Sequence, residues 1–367
     1  MRIDNETGYS AGFTAALDSD GRDHVVVVVK GSFDLQNNSG IDRCRRSDVQ
    51  DALIMSDIFW GKPGFSAPRT EMDFAHVKPN CDILFEATAY APDRRPATQL
   101  TAGAQLGRWK KAIEVIGDRV WLSGPTGPRI SKTQSFTTMP VTYELAFGGV
   151  DRSDPTEELP AAYGPNPVGQ GWHKMDNLAH LTGQPLHNFE TPGDTVVFPW
   201  DNATAVGLGP MARGWPARLK YGGTYDQHWI DNVFPFLPAD FDPRYYQAAP
   251  QDQQLPYPQG GEAVTLINLT SEGKTSFCLP DAEMPVLFSR RRADDISLNA
   301  PLDTIVIRPD ARRINLTWRV SIPLQRDIFE VTECIIGKRS RAFWRARKLG
   351  KTYYPTLKAL PQKVRAL

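Results

Sequence analysis

Residues Thr304–Ile322 read TIVIRPDARRINLTWRVSI. A β-branched run, Thr304–Arg308, meets a turn at Pro309-Asp310, and a second apolar-rich run follows from Arg313 to Ile322. Two such runs around a Pro-Asp turn predict a β-hairpin. The second run alternates. Ile314, Leu316, Trp318 and Val320 fall on one face, and Asn315, Thr317 and Arg319 on the other. A period of two marks a strand, so the expectation is one face in a core and one toward solvent.

Working outward, the same signals recur. His24–Lys30 (HVVVVVK) and Asp82–Ala89 (DILFEATA) predict strands, as do Val141–Phe147, Ala263–Leu269, Thr275–Leu279 and Val286–Phe288. Lys111–Ile116 and Val120–Leu122, parted by Gly117-Asp118, predict a hairpin, and Ser271–Lys274 another hairpin turn. Helical signals are few: Asp48–Met55, Ala239–Gln247 and Lys338–Leu349, the last with Phe343, Ala346 and Leu349 as a weak apolar stripe. With 29 Gly and 30 Pro in 367 residues, turns are frequent. The predicted class is mainly β: an antiparallel β-sandwich-like body with long irregular loops, few short helices and a basic C-terminal extension. Residues 1–336 form one β-rich domain in this reading, with room for two packed sub-sheets parting near 150–200. Residues 337–367 form the extension. Gly148–Pro199 and Phe234–Gly261 are the long irregular stretches, a class of loop that is often functional.

Formal charge is zero, from 42 Lys+Arg and 42 Asp+Glu. The balance hides an asymmetry. Residues 337–367 carry 10 Lys/Arg and no acid, which leaves 32 basic and 42 acidic residues on 1–336, a net −10. A basic tail sits on an acidic body. Such a tail suits an acidic client, anionic lipid, nucleic acid or the body itself, and the reading favours client or self contact over nucleic acid. Arg339, Arg341, Arg345, Arg347 and Lys348 are its candidate contacts. The four cysteines, Cys44, Cys81, Cys278 and Cys334, form no ligand pair and are expected as reduced, mostly buried thiols. The N-terminus lacks a secretory h-region, and the longest branched run, Val25–Val29, is far short of the roughly twenty residues a span needs. The expectation is a cytoplasmic chain without a membrane span.

Signatures of catalysis are weak. There is no GxSxG elbow, P-loop or HExxH. Gly207-Leu208-Gly209 runs into Pro210 and is taken as turn glycines. His173, His180 and His187 recur every seven residues with Glu190 nearby, but Gly183 and Pro185 break any helix that would align them as metal ligands. Glu144, Glu190, Asp226, Asp240 and Asp242 are the carboxylates from which a glycosidase pair would be drawn, with turn capping as the plainer role. No catalytic residue, metal or cofactor is assigned. The aromatics of the irregular stretches are more informative: Trp172, Trp200, Trp215, Tyr225, Trp229, Phe234, Phe236, Phe241, Tyr245 and Tyr246. Large amphipathic rings outside regular strands either pin loops to the body or anchor an interface.

An ordered set of segments carries a resemblance. They are HVKPNCDILFEATAYAP (His76–Pro92), GDRVW (Gly117–Trp121), MPVTYELAFGG (Met139–Gly149), NPVGQGW (Asn166–Trp172), NFETP (Asn188–Pro192) and GLGPMARGWPAR (Gly207–Arg218). GTYDQHW (Gly223–Trp229), LPADFD (Leu237–Asp242), APQDQ (Ala249–Gln253), GGE (Gly260–Glu262) and LDTIVIRPD (Leu302–Asp310), with Trp318-Arg319, complete it. In order and spacing the set resembles the type VI secretion adaptor, or effector-loading chaperone, family encoded beside VgrG and PAAR spike proteins. Asn80-Cys81 and His187 depart mildly from its pattern, and the tail after Gly337 lies outside it. The resemblance implies a non-enzymatic adaptor that binds an effector toxin, or its PAAR or VgrG carrier, and assists loading onto the spike. It carries over no site residues. On the residues themselves, Trp172, Trp215, Tyr225, Trp229, Phe234 and Phe236 are the expected interface or interface-supporting aromatics. A carbohydrate-binding or glycoside-acting β-sandwich using Glu144 and Asp226 is the alternative.

Overall fold

The computed structural model describes residues 1–35, 44–152, 156, 158–175 and 180–354. The end of the basic extension, 355–367, lies outside the described residues. The fold is mainly β. The expected hairpin is its centre: Leu302–Arg308 pairs antiparallel with Arg313–Pro323, closing at Arg308 opposite Arg313. The second strand pairs along its length with Asp23–Asp34, from His24 opposite Pro323 to Asp34 opposite Arg313. Ser10–Leu17 adds antiparallel on the far side of Asp23–Asp34 and ends the row. On the other flank Cys81–Phe85 lies parallel to Leu302–Arg308, followed by Gln254–Leu255. With Arg45–Arg46 this makes a seven-stranded sheet.

A five-stranded sheet orders Phe189–Glu190, Trp109–Ile116, Gln99–Leu106, Ala263–Ile267 and Lys274–Cys278. A four-stranded sheet orders Arg2–Asn5, Val331–Ile336, Pro285–Arg290 and Ile296–Asn299, the first pair being parallel. One apolar cluster draws on all three sheets, with Val27, Ile305, Leu316, Ile113, Leu266 and Phe288 among its fully buried members. Trp318 sits in it, its indole donating to Ala282 O at 2.7 Å and stacking on Tyr9 at 5.7 Å.

The alternating strand departs from expectation on its polar side. Asn315, Thr317 and Arg319 are as buried as the apolar face. The segment running through Asp51, Glu71, Asp73 and Lys78 covers them and brings its own charges. Arg319 ion-pairs with Asp303 and donates to Asp73 O at 2.7 Å. Lys30 meets Asp73 at 2.8 Å, and Lys78 meets Asp82 at 2.7 Å. Asn315 donates to Ser32 Oγ and to Asp51 at 2.8 and 3.0 Å. Alternation reports chemistry; here the polar face is covered by a polar lid.

Other expectations shift locally. Trp109–Ile116 takes Gln99–Leu106 as its hairpin partner through Gly107 at φ +54°, while Trp121–Gly124 pairs with Gly127–Ile130. Gly117 is no hairpin corner: its backbone packs on Gln134, whose carbonyl lies 1.9 Å from where a Cβ would stand. Val141–Phe147 forms a short 3-10 turn at Tyr143–Leu145 instead of a strand. Asp48–Met55 is extended, because Asp51 is held by Arg308 and Arg313. Arg341–Lys348 is helical as expected, capped by Ser340. All four thiols are free, and burial pushes those of Cys44 and Cys334 up to about 12. No helix among the described residues is long and apolar enough to cross a membrane.

Candidate protein-docking surface

The loop from Gly223 to Asp242 is built from its base upward. Gly223 adopts φ +85°, with Pro238 and Asp240 about it at the closeness only glycine tolerates. Asp240 accepts from Thr224 N at 2.9 Å and Thr224 Oγ1 at 2.7 Å, and these bonds hold its carboxyl below the usual range. The two ends of the loop are thereby tied. Asp226 then caps the short helix Gln227–Asn232, accepting from Trp229 N at 2.9 Å. The Trp229 indole donates to Phe236 O at 2.9 Å and makes edge contacts with Tyr225 at 4.7 Å and Phe234 at 5.5 Å. Phe236 leans on Gly21 in the turn between the strands Ser10–Leu17 and Asp23–Asp34.

The result is an aromatic tip facing solvent. Phe234 is 66% exposed, Ile230 56%, Tyr225 54% and Phe236 43%, with Trp229 half-buried beneath. Four of the six expected aromatics are thus brought together. The other two are not at the surface of contact. Trp215 is buried against Tyr143 at 5.1 Å, and half-buried Trp172 packs on Tyr163 at 5.9 Å. Both are supports: Trp215, Tyr143 and Tyr163 line a cleft of about 850 Å³ beside the tip, with Tyr221, Arg244 and Lys111. Burial lowers the Lys111 ammonium, partly offset by Asp252 at 2.9 Å.

On the tip's other side runs a groove of about 500 Å³. Thr14, Ala15, Ala16 and Leu17 border it in succession, opposite Pro235, Leu237 and Tyr246. Side chains alternate along a strand, so four consecutive lining residues place the groove along the strand's edge. Ser10–Leu17 (SAGFTAAL) is the end strand of its sheet and carries neither Pro nor charge, the usual protections of an open edge. The sequence does not predict Ser10–Leu17 as a strand, because its small residues Ala11, Gly12, Ala15 and Ala16 carry little β-branched or aromatic signal.

The remaining candidates are held by local duties. His187 Nε2 donates to Glu190 at 2.9 Å deep in the fold, and Arg119 reaches the same carboxylate at 3.1 Å. Burial alone would raise Glu190, but His187 and Arg119 outweigh it and leave its carboxyl low. His173 pairs with Asp151 at 3.1 Å, and His180 lies exposed elsewhere. The three histidines do not converge, and no cluster of three metal-ligating side chains occurs among the described residues. Glu144 accepts from Ala67 N at 2.7 Å, and Asp242 caps Arg244 N at 2.8 Å.

A family model described as "Uncharacterized protein conserved in bacteria (DUF2169)" matches residues 20–319. The chain belongs to the DUF2169 family. No curated protein and no solved structure matches it. The DUF2169 region contains the aromatic tip, the cleft and the central hairpin, and it ends before the basic helix Arg341–Lys348.

Proposed function

We propose that this DUF2169 protein is a non-enzymatic adaptor that grips another polypeptide, and that its clients are a type VI secretion effector or the PAAR or VgrG protein that carries it. The observation that carries the reading is the exposed tip of Tyr225, Ile230, Phe234 and Phe236, held on a braced loop. Soluble surfaces rarely present contiguous apolar patches without a partner. Aromatic anchors with water-excluding neighbours are what interfaces use. The open edge of Ser10–Leu17 beneath the tip supports the same reading, because an extended client segment can add to it as a strand while the tip takes its side chains. The spike and effector clients rest on the ordered motif resemblance.

Two further features favour binding over catalysis. Glu144, Asp226, Asp240 and Asp242 each hold backbone amides. The cleft rings Trp215 and Tyr143 meet edge to face and are buried in the core, and offer no open platform for a sugar. The test is pairwise co-purification with the separately expressed VgrG, PAAR and effector proteins encoded beside this chain. At least one should be retained by the wild type and lost with Phe234→Ser. Retention of none, or glycan binding in their place, overturns the reading.

A further inference from the structure

The described part of the basic extension divides its cations into two sets. Lys338, Arg339 and Arg347 are paired, Lys338 at the surface and the two arginines against the body. Lys338 pairs with Glu283 at 2.6 Å, Arg339 with Asp4 at 2.6 Å and with Glu6, and Arg347 with Glu333 at 2.6 Å. Phe343 is buried under Arg339, whose guanidinium lies 4.9 Å from the ring centroid. These contacts dock the helix Arg341–Lys348 on the four-stranded sheet. Self-docking therefore accounts for Arg339 and Arg347. It leaves Arg341, Arg345 and Lys348 exposed and without an ion pair among the described residues.

Arg341, Trp344, Arg345 and Lys348 stand at i, i+3, i+4 and i+7, which is a single helix face. Trp344 is 40% exposed at its centre. The docked side of the same helix reaches the end of the strand Pro285–Arg290, where Arg347 donates to Ser289 Oγ at 2.6 Å. Arg347 lies 4.0 Å from Asp295, whose carboxylate also accepts from the Arg290 amide at 3.3 Å. There the turn Arg290-Arg291-Arg292 and Arg326 enclose a hollow of about 380 Å³ with Phe329, which is 70% exposed. Two acids share this hollow, Asp327 accepting from Phe329 N and Glu330 from Gln325 N at 2.8 Å, and both keep their charge, so its four arginines outnumber its carboxylates by two. Arg291, Arg292 and Arg326 have no ion pair among the described residues.

We propose that this helix face and the neighbouring arginine-lined hollow together form a second docking surface, and that its partner is an acidic protein segment with apolar side chains interspersed among its carboxylates. Charge complementarity gives the sign. Five of the six unpaired cations are arginines, whose planar forks match carboxylates in pairs. Phe329 and Trp344 supply the apolar anchors between them. The hollow selects a chain over a plane: a bilayer would touch its rim alone. A DNA duplex or a membrane would also face the rest of the molecule, where residues 1–336 carry 32 basic against 42 acidic side chains. A short segment meets only the patch, since exposed charges are screened beyond about 10 Å at ordinary ionic strength. The surface shares no residue with the aromatic tip and stands independently of it.

The test uses the full chain and a fluorescein-labelled peptide of alternating Glu and Phe. Binding should weaken steeply with salt, and a Gln-for-Glu peptide should bind at least about tenfold less tightly. Arg291→Gln/Arg292→Gln/Arg326→Gln and Arg341→Gln/Arg345→Gln/Lys348→Gln should each weaken it by about tenfold or more, with circular dichroism unchanged. Should either triple variant misfold, Arg345→Glu alone carries the test, with the same direction expected. Phe234→Ser should bind the peptide normally, which separates this surface from the tip. The proposal is overturned if the wild type does not bind the peptide, or if both triples bind as well as wild type. It is equally overturned if a DNA duplex or phosphatidylserine vesicles bind more tightly than the peptide, or if the patch instead proves to hold a second copy of the chain by sedimentation.

Discussion

The polar face of the central sheet and the aromatic tip invert the usual arrangement. Arg319, Asp303, Lys78, Asp82 and Lys30 are buried, whereas Phe234, Tyr225 and Phe236 stand in solvent. The buried charges are paired, with Arg319 Nε the one atom among them left without a hydrogen bond. Asp82 alone takes Lys78, the Gln247 amide at 2.6 Å and Ala248 N at 2.8 Å. The exposed rings satisfy one another only at their edges and leave their outer faces bare. A group without a local partner points to a partner elsewhere; a charge with every partner at hand points to architecture.

The largest expected effect tests the buried half. Removing one member of a buried pair leaves the other uncompensated and typically costs about 3–5 kcal/mol. The two members should not be equal. Asp303 is already pushed up by burial, against the pull of Arg319 and Lys78, so it can discharge by taking a proton. A guanidinium cannot discharge. Asp303→Leu should therefore destabilise more than Arg319→Leu in urea unfolding, and the double apolar replacement should cost less than either single change. Equal single effects that simply add would show that the pair is not coupled.

The second expectation tests the exposed half. Phe234→Ser should leave the unfolding midpoint within about 0.5 kcal/mol of wild type, as for surface changes. In the same protein, loss of a true anchor should cost about 2 kcal/mol or more of client binding, read by calorimetry. A variant that loses both stability and binding would place Phe234 with the core, and the contrast between the two regions would fail.

How much of this was legible in the sequence follows from which forces act locally. The central hairpin was readable because Pro309-Asp310 and β-branched flanks are local signals. The helix Arg341–Lys348 was readable for the same reason, through the stripe of Phe343, Ala346 and Leu349 within Lys338–Leu349. The burial of Asn315, Thr317 and Arg319 was not, since it depends on Asp51 and Asp73 arriving from distant parts of the chain. Tyr225, Trp229, Phe234 and Phe236 were picked out as aromatics in a Pro-rich stretch. Trp215 gave the same signal and is buried. Composition cannot tell an anchor from a wedge; the difference lies in whether Tyr143 comes to meet it.

The smallest expected effect uses protons to separate the two regions. His76 and His187 both sit below the ordinary 6.5 in the folded chain. Burial is the main cause for each, joined for His76 by the charge of His24 at 4.6 Å and opposed for His187 by Glu190. Below 6.5 the unfolded chain therefore binds protons that the folded chain refuses. Stability is then greatest above that pH and falls as pH drops through it toward the folded values. The urea midpoint should be nearly flat above about pH 7 and decline toward about pH 5. His187→Gln, which retains a donor for Glu190, should flatten that decline, and His76→Gln should add to the flattening. The tip should not follow. His76 also lines the groove beside the tip, so the comparison is made in His76→Gln: there Asp240, which braces the tip, is held low by Thr224, and client affinity per folded molecule should be unchanged across this range. A midpoint that rises on acidification, or a decline untouched by both substitutions, would remove the histidines from the account. An affinity that falls in step with stability would mean that the tip's brace reaches into the interior and that the two regions are one cooperative unit.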